Sequence, residues 1–198
     1  MSKVVVVNHL TLDGVMQAPG RPDEDRREGF EHGGWATPYG DEVMARLMGE
    51  GMSQPGALLF GRRTYEDFVA FWPNQQGSPF TEALEERQKY VASTTLTEPL
   101  PWSNSTLLKG DAADAVVGLK EQSQEDLTVL GSGLLVQTLM RRDLVDEYLL
   151  TIHPLVLGTG RHLFPDGGAF AALRLVHVTS TTTGVVIARY CPTGRTPR

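Results

Sequence analysis

Cysteine is almost missing from this sequence. Cys191 stands alone, so no internal disulfide can form and no cysteine cluster can hold zinc. Long apolar runs are missing too, and nothing approaches the roughly 20 consecutive apolar residues of a membrane-spanning helix. The opening MSKVVVVNHL has too short an apolar stretch for a signal peptide and reads as a strand, which leads us to expect a cytoplasmic protein. There is no positive excess: 18 Lys and Arg face 24 Asp and Glu, a net charge of −6, and the basic residues are scattered. Neither nucleic acid nor a membrane is therefore an expected partner. The five histidines, His9, His32, His153, His162 and His177, lack helical i, i+4 spacing and cysteine partners, so no metal site is expected.

What the chain does have is an ordinary globular composition, 198 residues with 40% hydrophobic and 21% charged, enough to bury one generous core. No linker divides it, and we expect a single domain over 1–192 with a disordered tail, TGRTPR, at its end. Strands are predicted at 3–8, 56–60, 89–93, 105–109 and 126–131. Helices are predicted at 40–51, 63–72 and 111–122, with another beginning at Thr81 behind a capping-box pattern. From Asp143 onward DEYLLTIHPLVLG, LRLVHVTSTTT and GVVIARY read as strands with little helix between them. The whole is an α/β protein whose alternating half ends in antiparallel strands. Residues from His9 to Tyr39 form a long loop containing His32, Phe30 and Trp35, which suits a lid or pocket wall better than a linker.

Two segments carry the chemistry. ALLFGRRTYEDF and TVLGSGLLVQTL each run a strand directly into a helix through glycine, a geometry that aims backbone N–H groups and a positive helix end at one point and so suits a phosphate. At the first corner Gly61 leaves room for close approach, Arg62 and Arg63 offer guanidinium forks, and Thr64 offers a hydroxyl. At the second, Gly131-Ser132-Gly133 precedes Leu134, Leu135, Val136 and Leu139. It lacks the third glycine and the spaced acidic residue of a Rossmann fingerprint, so that fold is disfavoured. Trp72 and Phe71 read as core and Glu147 as a pairing residue at a strand start, while Gly158 and Gly160 leave open a further phosphate loop or a structural turn.

The order of segments, an opening strand with TLDG, a long loop, GRRTYE, YVAST, TVLGSG, LVDEY and HPLVLGTGRHLF, resembles the dihydrofolate reductase-like superfamily. Within it, the likeness is to stand-alone relatives of the reductase domain of the bifunctional riboflavin-biosynthesis deaminase-reductase, and it covers about 3–190. It implies a dihydrofolate reductase-like three-layer αβα fold with a mixed, mainly parallel sheet and antiparallel C-terminal strands. It also implies a homodimeric, NADPH-dependent reductase that passes a hydride to a small polar or heterocyclic substrate, aminouracil-like or pterin-like. By the same resemblance Gly61, Arg62 and Thr64, joined by Arg63, fall where such reductases hold NADPH, with the arginine toward the 2′-phosphate. Ser93 and Thr94 match hydroxyls near that phosphate, and Gly131, Ser132, Gly133 and Leu134 match the corner over the pyrophosphate and nicotinamide. Val15 and Met16 would offer backbone groups to the carboxamide. Asp13, in the loop facing nicotinamide and substrate, is the candidate that orients or protonates the substrate, directly or through a water, while an Asp-Gly turn is its plainer reading. His9, His32 and Trp35 are candidates for the substrate pocket. The chain has no deaminase signature, and no acidic residue maps onto the one that pairs with a pterin. A nucleotide-binding module without turnover is the alternative function.

Overall fold

Valines and alternating burial make VVVVNHLT the strand β1 (Val4–Thr11), with Val4, Val6 and Leu10 turned into the core. The computed structural model describes residues 2–75 and 77–194. After β1 come a loop with two short 3-10 turns, α1 (Glu42–Ser53), β2 (Ala57–Gly61), α2 (Arg62–Phe71), α3 (Pro79–Glu86), β3 (Lys89–Ala92) and β4 (Ser105–Leu108). The remainder is α4 (Ala112–Gln122), β5 (Leu127–Leu130), α5 (Gly133–Arg141), β6 (Glu147–His153), β7 (Leu173–Ser180) and β8 (Val186–Pro192). All eight strands among the described residues form one sheet in the order β4-β3-β2-β5-β1-β6-β8-β7. The first six positions are parallel; β8 runs antiparallel to β6, and β7 antiparallel to β8.

Helices cover both faces. On one, Val116 of α4 and Leu135, Val136 and Leu139 of α5 pack on Val4, Val6, Leu59, Val129 and Leu150. Each fully buried aliphatic side chain there contributes about 1.5–3 kcal/mol relative to exposure. On the other, Tyr65 of α2 and Leu84 of α3 join Leu58, Phe60 and Val91, while Met44 of α1 meets Val185 and Ile187. The three-layer αβα arrangement expected from the sequence is thus present. Among the described residues no helix is long and apolar enough to cross a membrane.

Several local expectations need correction. β1 runs on to Thr11, so His9 lies within the strand and not in the loop. α3 begins at Pro79 behind Ser78, and Ser78 makes no side-chain cap; Thr81 lies inside the helix, buried, so no capping box forms there. β6 stops at His153, because Pro154 has no N–H to continue a ladder, and residues 154–157 are irregular. Trp72 packs beside the α2–α3 core, whereas Phe71 carries the guanidinium of Arg21 4.2 Å from its ring centroid. Glu147 pairs with Arg189 at 2.5 Å. Of the expected tail, residues 195–198 lie outside the described residues, and Thr193 N–H donates to Ala172 O at 2.9 Å.

Candidate functional site

Both glycine corners sit at the C-terminal ends of adjacent parallel strands, the rim at which open α/β sheets bind ligands. They touch. The N–H of Gly61 donates to Ser132 Oγ at 3.0 Å, and Ser132 Oγ donates to Leu130 O at 3.2 Å. Gly131 and Ser132 are consecutive left-handed residues, at φ 59° and 55°, and this double turn swings the chain from β5 into α5. Asn8 secures the turn by donating from Nδ2 to Gly131 O at 3.0 Å.

The two helices that start here differ from α1 and α4 at their first turns. Asp41 caps α1 by accepting from Met44 N, and Asp111 caps α4 by accepting from Ala113 and Asp114 N–H groups. Neither α2 nor α5 has a side-chain cap, so their leading N–H groups and positive dipole ends are left facing a common space. That space is a cleft of about 1520 Å³, lined at this end by Gly61, Arg62, Thr64, Ser93, Gly131 and Ser132. It continues beneath α1, past His9, Leu47 and Leu149.

Arg62 lies on the cleft wall with Nη1 donating to Glu66 Oε2 at 3.0 Å, one turn further along α2, and Arg63 beside it is exposed. Ser93 Oγ accepts from the N–H groups of Thr95 and Leu96, shaping the turn that leaves Thr94 exposed on the same wall. Leu134 is 64% exposed, an apolar surface at the head of α5. The side chain of Met16 lies over Gly133, where an added Cβ would collide with its Sδ. The backbone of Val15 and Met16 is largely engaged: Val15 N–H donates to Thr11 Oγ1, Val15 O accepts from Thr11 N–H, and Met16 N–H donates to Arg161 O at 2.8 Å. Those three groups are therefore not turned toward a carboxamide in this structure.

Asp13 does not line the cleft. Its carboxylate accepts from Thr11 Oγ1 at 2.5 Å, Gly158 N–H at 2.7 Å and Leu157 N–H at 3.2 Å, tying the loop after β1 to the loop after β6. Burial would raise this carboxyl, but the Thr11 hydroxyl and the Gly158 and Leu157 amides outweigh it and hold the group below its ordinary value. An ionised, fully engaged carboxylate is a poor proton donor, so its position fits the Asp-Gly turn. Gly160 is structural and packs where a Cβ would strike Phe30 and Val15.

The long loop builds a small core of its own from Val15, Ala18, Phe30, Trp35 and Ala36. Arg21 pins it to α2 through Asp67 at 2.5 Å, and its stretch from Met16 to Arg27 contributes to the cleft wall, as a pocket wall should. Of its two pocket candidates, His32 is exposed with its ring edge-on to Phe30, and Trp35 is buried with Nε1 donating to Gln17 O at 2.7 Å. Neither lines the cleft. His9 does, and its Nδ1 lies 2.9 Å from Nε2 of His153. Asn8, Arg21 and His153 were not singled out as site residues from sequence. The one available signal was the polar Glu147, Thr151 and His153, three of the four residues on one face of β6, on a strand otherwise rich in apolar residues.

The fold these elements make is that of dihydrofolate reductase. Dihydrofolate reductase from Enterococcus faecalis, complexed with NADP(H) and RAB-propyl, superimposes with a TM-score of 0.62 at 10% identity, covering 97% of each chain. A pyrimidine reductase-like protein from Corynebacterium diphtheriae gives 0.65 at 12% identity, covering 98% of this chain and 93% of that one. The chain belongs to the RibD C-terminal domain family, whose model matches residues 2–187. Among curated proteins it is 29% identical over 140 residues to the uncharacterized protein YyaP of Bacillus subtilis (strain 168), spanning 68% of this chain and 73% of YyaP.

Proposed function

We propose that this protein is an NADPH-dependent reductase that transfers a hydride to a small polar heterocycle of the aminouracil or pterin kind. The observation that carries the reading is the pair of uncapped helix N-termini, α2 and α5, locked side by side through Gly61 and Ser132 at one rim. A diphosphate bridging two such ends would meet backbone N–H groups from both without a cage of charged side chains. The cleft exceeds the roughly 300–1000 Å³ of a single small-molecule pocket, which suits a cofactor and a substrate together.

In this reading Thr64, Gly131, Ser132 and Gly133 hold the diphosphate. Arg62, with Arg63, Ser93 and Thr94, receives the 2′-phosphate, Arg62 exchanging its Glu66 partner for a second anion. Leu134 and Met16 form the apolar floor for the nicotinamide end. When bound, the reduced nicotinamide supplies the hydride, and the chain's part is to hold donor and acceptor together and keep water out. Asp13 holds the loop after β1 in place. The RibD family membership and the fold shared with an NADP(H)-binding reductase support the same class.

We also infer a homodimer. The outer strand β7 exposes Leu175, Val176 and Val178 on an unpaired edge, a surface that monomers seldom leave open.

Thermal unfolding with and without NADPH tests the cofactor reading, since a ligand specific to the native state at 100 times its Kd adds about 2.7 kcal/mol. A rise with NADPH larger than with NADH is expected, and no rise at saturating NADPH overturns it. Oxidation of NADPH in the presence of aminouracils or pterins then separates a reductase from a binding module, which would hold NADPH without consuming it. Light scattering in solution reads the dimer.

A further inference from the structure

Within β1 and β6 lies a second arrangement that the cofactor corners do not use. His9 and Thr151 are register partners on adjacent parallel strands, as are Thr11 and His153, so all four side chains share one sheet face. His9 Nδ1 and His153 Nε2 are 2.9 Å apart. His153 is fully buried, with the rings of Trp35 and Tyr39 standing edge-on to it at centroid separations of 5.2 and 5.5 Å. Its Nδ1 has no hydrogen-bond partner among the described residues. His9 is the member that reaches the cleft, and its Nε2 makes no hydrogen bond among the described residues and is not sealed from solvent.

These facts select a tautomer. Were His9 Nδ1 the donor, neutral His153 would carry its proton on Nδ1, a buried N–H with no acceptor, which native structures avoid more strictly than a bare lone pair. With His153 Nε2–H donating instead, His9 Nδ1 accepts, and the proton of neutral His9 stands on Nε2, facing the cleft. Burial disfavours the charged form of both rings, so the pair presents a neutral donor at neutral pH. A neutral imidazole held this way can donate a hydrogen bond where an imidazolium would add a charge.

We propose that His9 is a substrate-binding residue whose Nε2–H donates to a carbonyl oxygen or ring nitrogen of an uncharged or anionic planar heterocycle, and that His153 is the positioning residue that fixes its tautomer and ring plane. This deepens the reductase reading and rests on it for the identity of the cleft. The walls around His9 fit such a ligand: Val5, Val7, Leu47, Met48 and Leu149 supply apolar surface for a flat ring, and His9 supplies a single directional contact.

Nitrogen NMR of the histidine-labelled protein tests it, first alone and then with NADP⁺ and either pterin or uracil. The free protein should show His9 with a protonated Nε2 and a bare Nδ1, and His153 with a protonated Nε2. Pterin or uracil should shift the His9 Nε2–H resonance. His9→Leu should weaken the same ligand by about tenfold, the scale of one hydrogen bond in a dry site, while His9→Gln, which keeps a donor, loses less. A His9 proton on Nδ1, or no perturbation of His9 by either heterocycle at saturation, overturns the proposal. The NADPH-induced thermal shift is read on the same samples. Its absence from the native protein overturns the cofactor reading and leaves the tautomer result standing, so the two failures are distinguishable.

Discussion

The amide of Gly61 donates to the hydroxyl of Ser132 across 71 residues of sequence, at 3.0 Å. This contact joins the two helix starts on which the site is built. Ser132→Ala should lower stability by about 1–2 kcal/mol, the scale of a lost buried hydrogen bond, and should weaken NADPH as the two corners lose their tie. Ser132→Gly loses the same hydroxyl but relieves a left-handed backbone. Its melting temperature should lie above that of the alanine variant; the reverse order would mean that the left-handed turn costs nothing at this position.

Arg62 belongs to binding and not to folding. Its partner Glu66 is an i, i+4 contact with both side chains well exposed, so Arg62→Ala should change stability by less than about 0.5 kcal/mol. NADPH should bind about tenfold more weakly, the scale of a lost charge-assisted contact, with NADH barely affected because it has no 2′-phosphate. Calorimetric titration of both dinucleotides checks this, and equal losses would remove Arg62 from the phosphate.

Asp13 makes the opposite prediction. Replacing it with Asn exchanges one accepting oxygen for an NH2 group, so that one of the donors Thr11, Leu157 and Gly158 loses its acceptor, and stability should fall by about 1–3 kcal/mol. The carboxyl is held below its ordinary value, so its contribution is present above that value and fades as pH drops through the lowered one. Native protein should lose this increment as pH falls below the ordinary carboxylate range, and Asp13→Asn should not. If turnover of Asp13→Asn collapses with its melting temperature unchanged, Asp13 acts in chemistry and not in the turn.

His9 and His153 set a different acid window. Burial lowers both from 6.5 to about 4, with the charge of one ring further opposing that of the other at His153. The unfolded chain therefore binds protons that the folded chain refuses between those values, and stability should decline as pH falls from about 6.5 to 4, by on the order of 2–3 kcal/mol for each ring. His153→Phe should flatten melting temperature against pH in that interval. An unchanged slope would mean that the pair is not the acid-sensitive element.

The local devices were largely legible. Strand-to-helix corners at Gly61 and Gly131 show in sequence because glycine, apolar runs and helical periodicity all act within a dozen residues. The expected cap at Thr81 failed because Pro79 can begin a helix earlier, its missing N–H being one that the first turn would leave unpaired. The tie made by the Asp13 carboxylate and the engagement of the Met16 N–H were not legible, since their partners at Leu157, Gly158 and Arg161 arrive from the far side of the chain, whereas Val15 is held locally by Thr11. His32 and Trp35 looked alike as loop aromatics, and only packing sent one to the surface and the other behind His153.

By itself the sequence determined which segments become strands and helices, where the chain turns sharply, and that two such turns can each face an anion. Those properties follow from side-chain patterning and the backbone freedom of glycine. Tertiary structure alone decided that β5 inserts between β2 and β1, bringing Ser132 against Gly61, and that β6 lies along β1 so that His153 meets His9. Strand order and register are set by the burial of whole sheet faces, a collective energy that no short stretch of residues encodes.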